Sequence, residues 1–592
     1  MTGSHFSRNA AGVMVLSMAL ASFTFAGAAA KTPREARDIA CRFGRTKSTV
    51  ITARSDGADR FHAVNLERGG YAVVSGRDGK VLAFSDGGEF PVTNAAPIWA
   101  MLMKDTGGSS HGSSAVESRV MSSGLSYASS AVTSSSGLDE VRVAPLLATK
   151  WSQSTVSGKK VFNYCTPGNS VCGCVATAMA QIMKCHAFPS SPVSAKTKAC
   201  TYAGSTTNLV MQGGTYDWDA MPDVPDSSIS SAGQQALGKI ASDAGISVHM
   251  NYTSDSSGAF NVMAAMAFTN TWGFAQSLYW CNTDNSGDAS DGYAASGVIE
   301  DAILASLDAG CPCLLGVSDG SSGHAIVADG YGFLDGERYI HLNMGWSGAC
   351  DYWYIFPVSA YGYTFSYLAD AIYNIFPEET GNVVSGRVTS TNGVAVAGAS
   401  VSFAGYRKSP SGRPGSSSRK AVSGSAVTSS AGIYAFTVPD GTVTITNLAV
   451  SMSGYSPSAT NGVSAGSSKC LYILESDIES SPSSQSVSLY GNSQSVGNSW
   501  GNDIVLSAFY VAPLISSAPV FCSGDPSVSL LFEATAGTVW TLQWTGDLAD
   551  DASWTDILEI AATGSALAVE IPSGVFDRAS HASAFFRFVQ TR

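Results

Sequence analysis

The chain has 592 residues, enough for several domains, and only 13% of them are charged. Its 33 basic and 46 acidic residues give a formal net charge of −13, which repels phosphate backbones and argues against nucleic acid as a partner. The 61 glycines and the long serine runs are typical of an exported, β-rich protein built from several modules.

The N-terminus has the pattern of a secretory signal. Arg8 precedes an apolar run from about Ala11 to Phe25, and the small residues 28–30 follow it. That run is shorter than the roughly 20 apolar residues that a membrane-spanning helix needs, and no later stretch is longer. We therefore expect residues 1–30 to be a cleaved signal peptide and the mature protein to be exported with no membrane span. An uncleaved N-terminal anchor helix is the alternative.

Residues 31–106 are predicted to form a compact unit. Residues 61–90 alternate apolar and polar side chains, and glycine turn signals at 69–70, 78–79 and 87–88 indicate a meander of short antiparallel strands. The following residues, 107–139, are rich in serine and glycine and cannot bury a core. They are predicted to be a flexible, protease-accessible linker.

The composition changes again from residue 140 onward. Residues 140–378 gather most of the cysteines with many aromatic residues and mix helical with strand patterns, which indicates an α+β domain. Period-2 alternation predicts a small β-sandwich over residues 379–475, in which the segment RKSPSGRPGSSSRKAVSGS is expected to be a loop. A serine-rich linker (476–510) and a last β-module (511–592) are predicted to follow.

The segment CGCVATAMAQIMKCH, residues 172–186, predicts a buried helix that begins at Cys174. Apolar residues recur at helical spacing after that cysteine, at Val175, Ala178, Met179 and Ile182. At a helix N-terminus the open backbone N–H groups and the helix dipole favour a thiolate. Cys174 is therefore the candidate nucleophile, and Cys172 lacks that advantage. The alternative is that Cys174 is simply a small buried core residue.

The twelve cysteines raise two other possibilities. Zinc knuckles place two to four residues between their cysteines, whereas Cys172 and Cys174 are separated by one residue, as are Cys311 and Cys313. We therefore expect no metal site. In an oxidising compartment Cys172 could be bridged to the nearby Cys165, provided that the nucleophile itself stays reduced.

A thiolate nucleophile needs a base nearby in space. Of the four histidines in residues 140–378, His324 stands at the head of the alternating strand GHAIVADGYG, where it could face a helix N-terminus. On the next strand, Asn343 could orient the imidazole through its second nitrogen and Trp346 could shield that hydrogen bond from water. A core histidine satisfied by hydrogen bonds is the alternative reading of His324.

Attack on a carbonyl also needs donors for the developing oxyanion. The backbone N–H of Cys174 is one candidate. Gln153, about twenty residues upstream of the nucleophile, is the other. By itself a single glutamine carries little information.

Five segments together resemble the streptopain family (peptidase family C10) of secreted bacterial cysteine peptidases, which have a papain-like fold. They are APLLATKWSQ, CGCVATAMAQIMKCHAFP, YDWDAMP, GHAIVADGYG and HLNMGWSG. The resemblance assigns the nucleophile to Cys174, the general base to His324, the oxyanion glutamine to Gln153 and the Asn-x-Gly-Trp strand to Asn343 and Trp346. The sequence departs from the family at Met344, where a second tryptophan is usual, and at Ser347, where glycine is usual.

The resemblance implies a multidomain fold: a small α+β inhibitory prodomain (31–106), an α+β papain-like catalytic domain (140–378) and all-β sandwich modules at the C-terminal end. The first of these, 379–475, resembles the carboxypeptidase regulatory-like module. The implied activity is that of a secreted endopeptidase made as a zymogen.

No cofactor is implied. The expected partners are protein or peptide substrates and the chain's own prodomain, and the C-terminal modules could contact a cell surface or carbohydrate. A catalytically inactive peptidase-like adhesin and a transglutaminase-type or amidase use of the same residues are the alternatives.

Overall fold

The computed structural model describes most of the chain from residue 31 onward. The described ranges are 31–55, 58–85, 89–90, 117–120, 137–281, 296–318, 323–355, 367–410, 417–460, 462–468, 472–480, 490, 495–507, 520–521, 528–533, 539–545, 555–561, 566–571 and 585–590. The expected signal peptide and most of the expected linker at 107–139 lie outside these ranges. None of the helices within them combines the length and the apolar character needed to span a bilayer.

The chain divides into two compact units, of which the first comprises residues 1–137 with residues 361–364. Its elements are α1 (Pro33–Ala40), β1 (Thr46–Ser55), β2 (Ala58–Leu66), β3 (Tyr71–Ser75), β4 (Val81–Ser85) and β5 (Glu117–Val120). The strands follow the order β4-β3-β2-β1-β5. The predicted meander is confirmed for β2 to β4, whose first turn uses Gly69 and Gly70 at φ of 95° and 90°, a conformation that glycine adopts without steric cost.

Strand β5 falls inside the segment predicted to be a flexible linker. It pairs antiparallel with β1, with Thr49 opposite Val120. Without β5, β1 would be an edge strand with unpaired backbone N–H and C=O groups, and the pairing with β5 satisfies them. The linker prediction is therefore wrong for residues 117–120.

The second unit contains residues 138–360 and 365–592. Its first part, up to residue 376, has a mixed α and β composition. The helices are α2 (Cys174–His186), α3 (Ser231–Ser247), α4 (Asn261–Asn270) and α5 (Ser296–Asp308). The strands are β6 (Glu140–Val143), β7 (Thr155–Val156), β8 (Lys159–Lys160), β9 (Lys196–Tyr202), β10 (Ser205–Met211), β11 (Asn251–Tyr252), β12 (Gln276–Cys281), β13 (Cys313–Ser318), β14 (Gly323–Leu334), β15 (Glu337–Asn343), β16 (Tyr352–Ile355) and β17 (Tyr367–Phe376).

One sheet organises this part of the chain, with the strand order β12-β17-β13-β14-β15-β16, and β6 also pairs with β14. Helix α2 packs on β14 and on α3, so its apolar residues from Val175 to Met183 lie in a large hydrophobic core. The predicted helix is thus confirmed, and its N-terminal end lies beside the start of β14. That packing brings the two segments with the candidate cysteine and histidine together.

The next part is a sandwich of two sheets. Its strands are β18 (Asn382–Ser390), β19 (Ser400–Pro410), β20 (Ser417–Val427), β21 (Ile433–Val438), β22 (Val443–Ser451), β23 (Ser458–Thr460), β24 (Val463–Ala465) and, after helix α6 (Glu475–Ser480), β25 (Ile504–Leu506). One sheet has the order β21-β18-β25 and the other β20-β19-β22-β23, with β24 also paired to β22. Phe403 and Phe436 stack between them with ring centroids 4.0 Å apart.

Two sequence predictions for the sandwich need correction. The segment expected to be a loop supplies much of a long hairpin, in which Ser400 pairs with Val427 and Pro410 with Ser417. Small polar side chains hide the strand pattern there. Strand β25 lies in the predicted serine-rich linker, yet it pairs in parallel with β18, and Val388 lies opposite Ile504.

The C-terminal region is also all β where it is described. Its strands are β26 (Val520–Phe521), β27 (Val528–Glu533), β28 (Val539–Thr545), β29 (Thr555–Ala561), β30 (Ala566–Ile571) and β31 (Phe585–Gln590). They form two sheets, with the orders β26-β27-β30 and β29-β28-β31.

Candidate active site

The site is built around the first residue of helix α2. Gly173 precedes Cys174 with a φ of 90°, and a Cβ at this glycine would lie 2.9 Å from the carbonyl oxygen of Ser257, so no other residue fits without rearrangement. No side chain caps the helix, which leaves its first backbone N–H groups open to a negatively charged atom. Cys174 is partly exposed at this end, whereas Cys172 is fully buried.

His324 lies on β14 beside this helix end. Its side chain is hydrogen-bonded to the Cys174 sulfur, and its Nε2 lies 2.8 Å from the carbonyl oxygen of Met344, which leaves Nδ1 for the sulfur. Trp346 stacks flat on the imidazole, with centroids 4.6 Å apart and planes 11° apart. The ring is therefore held by a backbone acceptor at one nitrogen, by the sulfur at the other and by the indole on one face.

The two neighbouring cysteines differ in acidity. Burial alone would raise the pKa of Cys174, but the hydrogen bond and positive charge of His324, with the backbone N–H groups of Ala325 and Val175, outweigh it and leave the pKa lowered. For Cys172, burial raises the pKa to about 12. Of the two cysteines, Cys174 is thus the one whose thiolate the site favours, in line with the preference inferred from the helix start.

Asn343 directly precedes Met344, whose carbonyl oxygen lies beside His324 Nε2. The Asn343 side chain, however, makes different contacts from those expected. Its Nδ2 donates to the Thr149 carbonyl at 2.8 Å, and its Oδ1 accepts from Gly345 N and from Gln181 Nε2, each at 3.0 Å. Among the described residues, the Asn343 amide therefore makes no hydrogen bond to His324. The reason is that the side chain turns toward α2, so the carbonyl of the following residue, Met344, takes the expected place.

Gln181 was missed by the sequence reasoning. It is fully buried, and its Oε1 accepts from Thr149 Oγ1 at 2.9 Å and from Trp151 N at 3.2 Å. It therefore ties α2 to the segment that leads to Gln153, and through Asn343 to the end of β15. A polar residue seven positions after Cys174, on the same buried helix face, was the available signal.

Asp351 is a second residue that the sequence reasoning missed. Its Oδ1 accepts from Met344 N at 2.7 Å, so it fixes the backbone whose carbonyl bonds to His324. Burial raises the pKa of Asp351 to about 6. In the same loop, Ser347 has a φ of 59°, a left-handed conformation that glycine adopts at lower cost. This accounts for the glycine that the resembled family usually has there.

A cavity of about 420 Å³ opens beside Cys174 and His324. Gln153 and Trp346 also line it, so four of the five predicted site residues share one cavity and Asn343 lies behind it. No other described side chain hydrogen-bonds to the Gln153 amide, which leaves it available to a ligand. The remaining lining residues are Val175, Ser256, Ser257, Gly258, Ala259, Phe260, Asn261, Gly316, Val317, Ser318, Gly323, Ala325, Ala369 and Asp370.

The other three histidines of this part have different partners. His186 packs edge-on against Phe274, and His341 pairs with the buried Asp329 at 2.6 Å. His249 forms, with Glu475 and Glu479, a group whose ligand atoms lie within 4.8 Å of one another and could hold a metal ion. Lys198 already pairs with Glu475 there. None of these residues lines the cavity.

The expected bridge between Cys172 and Cys165 is not present. Both cysteines are free thiols. Cys172 instead lies 3.3 Å from Thr177 Oγ1 in the core beneath the helix start. The buried sulfur is accounted for by packing, which is common for free cysteine.

Comparison with known proteins gives matches over this region. The Peptidase C10 family pattern matches residues 151–354. Streptopain from Streptococcus pyogenes serotype M1 is 26% identical over 381 residues, covering 57% of this chain and 90% of that protein. The thiol protease/hemagglutinin PrtT of Porphyromonas gingivalis is 30% identical over 177 residues, covering 30% of this chain and 19% of that protein. A fragment of prointerpain A from Prevotella intermedia covers 56% of this chain and 100% of that fragment, at 20% identity and a TM-score of 0.40.

The sequence matches define the class first: this is a protein of the cysteine peptidase class, and the site just described lies inside the matched region. More particularly, residues 151–354 of this chain match the peptidase C10, or streptopain, family. The resemblance noted from the five sequence segments is therefore confirmed.

Proposed function

We propose that the chain is a cysteine endopeptidase that hydrolyses protein substrates with Cys174 as nucleophile and His324 as general acid and base. The observation that carries this proposal is the hydrogen bond between the two side chains, which lowers the pKa of the cysteine at the edge of an open cavity. The match of residues 151–354 to a family of cysteine peptidases supports the same reaction class.

The reaction begins with the Cys174 thiolate and the His324 imidazolium. The sulfur attacks the peptide carbonyl and forms a C–S bond, and the carbonyl electron pair moves to oxygen. As that pair returns, the C–N bond breaks and His324 gives its proton to the leaving amine, so a thioester remains. Neutral His324 then takes a proton from water, whose oxygen attacks the thioester and releases the acid and the thiolate.

The other predicted residues support these steps. Gln153 and the Cys174 backbone N–H donate to the oxyanion, and removal of one such donor typically costs about a hundred- to a thousand-fold in kcat. Trp346 covers one face of the imidazole and limits its contact with water. Asn343 acts indirectly, because it holds the strand end from which the Met344 carbonyl reaches His324 Nε2.

Substitution of the two neighbouring cysteines tests the assignment. Cys174→Ala should abolish casein hydrolysis and self-maturation, whereas Cys172→Ser, the matched control two residues away, should leave most activity. A thiol-reactive peptidyl inhibitor should label the parent and the control but not Cys174→Ala. A fully active Cys174→Ala protein would refute the proposal.

The domain plan of the family is proposed for this chain as well: a cleaved signal at 1–30, an inhibitory prodomain at 31–106, a papain-like catalytic domain at 140–378 and secretion as a zymogen. In support, the N-terminal unit is compact by itself. The streptopain alignment, at 381 residues, also extends beyond the matched peptidase region. N-terminal sequencing of the secreted form should give a start between about 107 and 145. An inactive protein that starts at Lys31 would contradict this plan.

The second candidate is a catalytically inactive, peptidase-like adhesin that uses the C-terminal modules for binding. The β-modules and the non-consensus Met344 favour it. The inhibitor experiment separates the two, because an adhesin without a reactive thiolate should remain unlabelled at Cys174. Incorporation of a primary amine in place of cleavage would instead indicate the transglutaminase-type reaction.

A further inference from the structure

Besides Cys174 and His324, the cavity reaches a third ionisable group, the carboxylate of Asp370 on β17. Strand pairing sets Asp370 opposite Gly316 of β13, and both residues line the cavity. A Cβ at Gly316 would lie 2.2 Å from Asp370 Oδ1 and 2.4 Å from Asn261 Nδ2. The absence of a side chain at this glycine therefore makes room for the carboxylate and its amide neighbour at the cavity wall.

The partners of Asp370 are all neutral. Asn261 Nδ2 donates to Oδ1 at 2.7 Å, and the Tyr279 hydroxyl reaches Oδ2 at 3.4 Å, which is long for such a bond. Among the described residues, no lysine or arginine pairs with this carboxylate. Asn261 Oδ1, on the same wall, is buried without a hydrogen-bond partner in that part of the chain. This end of the cavity thus has more hydrogen-bond acceptors than donors, and the Asp370 carboxylate has no cationic partner among the described residues.

The rest of the lining suits a long basic side chain. It contains no lysine, arginine or glutamate in the described ranges. Burial raises the pKa of Asp370 to about 6, so the carboxylate is mainly ionised at neutral pH and places a negative charge on the cavity wall. Val317, Ala259 and Phe260 offer apolar surface for methylene groups, while a terminal cation could reach the carboxylate.

We propose that Asp370 is a specificity-determining residue that binds a lysine or arginine side chain of the peptide substrate. This inference rests on the proposed peptidase function, which it deepens by naming basic peptides as the substrate class. Asn261 is a positioning residue for the carboxylate, because its Nδ2 donates to Asp370 Oδ1. If the amide were rotated by 180°, Asn261 Oδ1 would face Asp370 Oδ1, and both atoms are acceptors.

The first test uses the full chain after maturation and needs no variant. Peptides with arginine at successive positions around the cleaved bond are compared with the same peptides carrying citrulline, which has nearly the same shape but no charge. At one position the change to citrulline should lower kcat/KM by about ten- to a hundred-fold, the usual range for a hydrogen bond to a charged group. Equal rates for arginine and citrulline at every position would overturn the proposal.

A variant pair then assigns the effect to Asp370. Asp370→Asn keeps the size of the side chain and should remove the discrimination between arginine and citrulline. Asp308→Asn is the matched control, since Asp308 is also a half-buried aspartate accepting two side-chain hydrogen bonds but lies outside the cavity lining. Discrimination that survives in a folded Asp370→Asn protein would overturn the assignment.

The outcomes for the two proposals are distinguishable. Hydrolysis without any preference for a basic residue refutes only the role of Asp370. Absence of both hydrolysis and inhibitor labelling at Cys174 refutes the peptidase function and the substrate class together.

Discussion

Replacing Gln181 with methionine should lower the free energy of unfolding of the peptidase region by about 2–6 kcal/mol. Gln181 Oε1 is the acceptor for two buried donors, Thr149 Oγ1 and Trp151 N. Methionine has a similar volume and is only a weak acceptor, so both donors lose their partner at about 1–3 kcal/mol each. Asn343 Oδ1 loses the Gln181 donor but retains Gly345 N, and we count no penalty for it.

The assay is urea unfolding followed by tryptophan fluorescence, in a Cys174→Ala background so that self-digestion cannot contribute. With a slope of about 2 kcal/mol per molar urea, the midpoint should fall by about 1–3 M. Gln235→Met is the control, because Gln235 is an exposed glutamine of α3 and its replacement should change stability by less than about 0.5 kcal/mol. A Gln181→Met midpoint that matches the control's would refute the reasoning.

Three other contacts lead to predictions. Alkylation of Cys174 by iodoacetamide should stay fast below the ordinary thiol pKa of about 8.5, because a lowered pKa keeps the thiolate populated there. In His324→Ala the rate profile should move to higher pH, and an unmoved profile would contradict the pairing. Asp351→Ala should lower kcat/KM by about tenfold, since a backbone N–H loses its acceptor, while Asp351→Asn should retain most activity; equal losses in the two variants would argue against this role. Burial raises the pKa of Asp308 to about 7, so the stability associated with its neutral form is complete below about pH 4 and is lost as the pH rises through 7. The unfolding temperature of Asp308→Asn should therefore fall less than the parent's between pH 4 and pH 8, and parallel curves would count against it.

The sequence predicted the parts of the site that depend on local pattern. The start of α2 at Cys174 follows from helical spacing, and the strand that begins near His324 follows from alternation. Each of these two patterns is contained in a stretch of about ten residues. That Cys174 and His324 lie close together was inferred from the need of a thiolate for a nearby base. In the structure, the packing of α2 on β14 brings them together.

The contacts that sequence reasoning could not supply involve groups without a residue signature. The partner of His324 Nε2 is a backbone carbonyl, which any residue at position 344 would provide. Asp370 lies near His324 only through the pairing of β17 with β13 and of β13 with β14. Its neighbour Gly316 looks in the sequence like any glycine within a strand. Such sites depend on register between distant strands, which a single sequence does not specify.

Strand β25 has a consequence for how the chain can be shortened. Residues 495–507 return to the peptidase region, where Asn498 Nδ2 donates to Ala302 O at 3.0 Å and Trp500 Nε1 to the Tyr331 hydroxyl at 3.1 Å. The sequence pattern predicts that the sandwich ends at residue 475. A chain that stops there would lose these two hydrogen bonds, and β18 would lose its pairing with β25. The smallest fragment that retains both the enzyme and the sandwich should therefore extend past Leu506. Residues 495–507 thus connect the sandwich to the peptidase region.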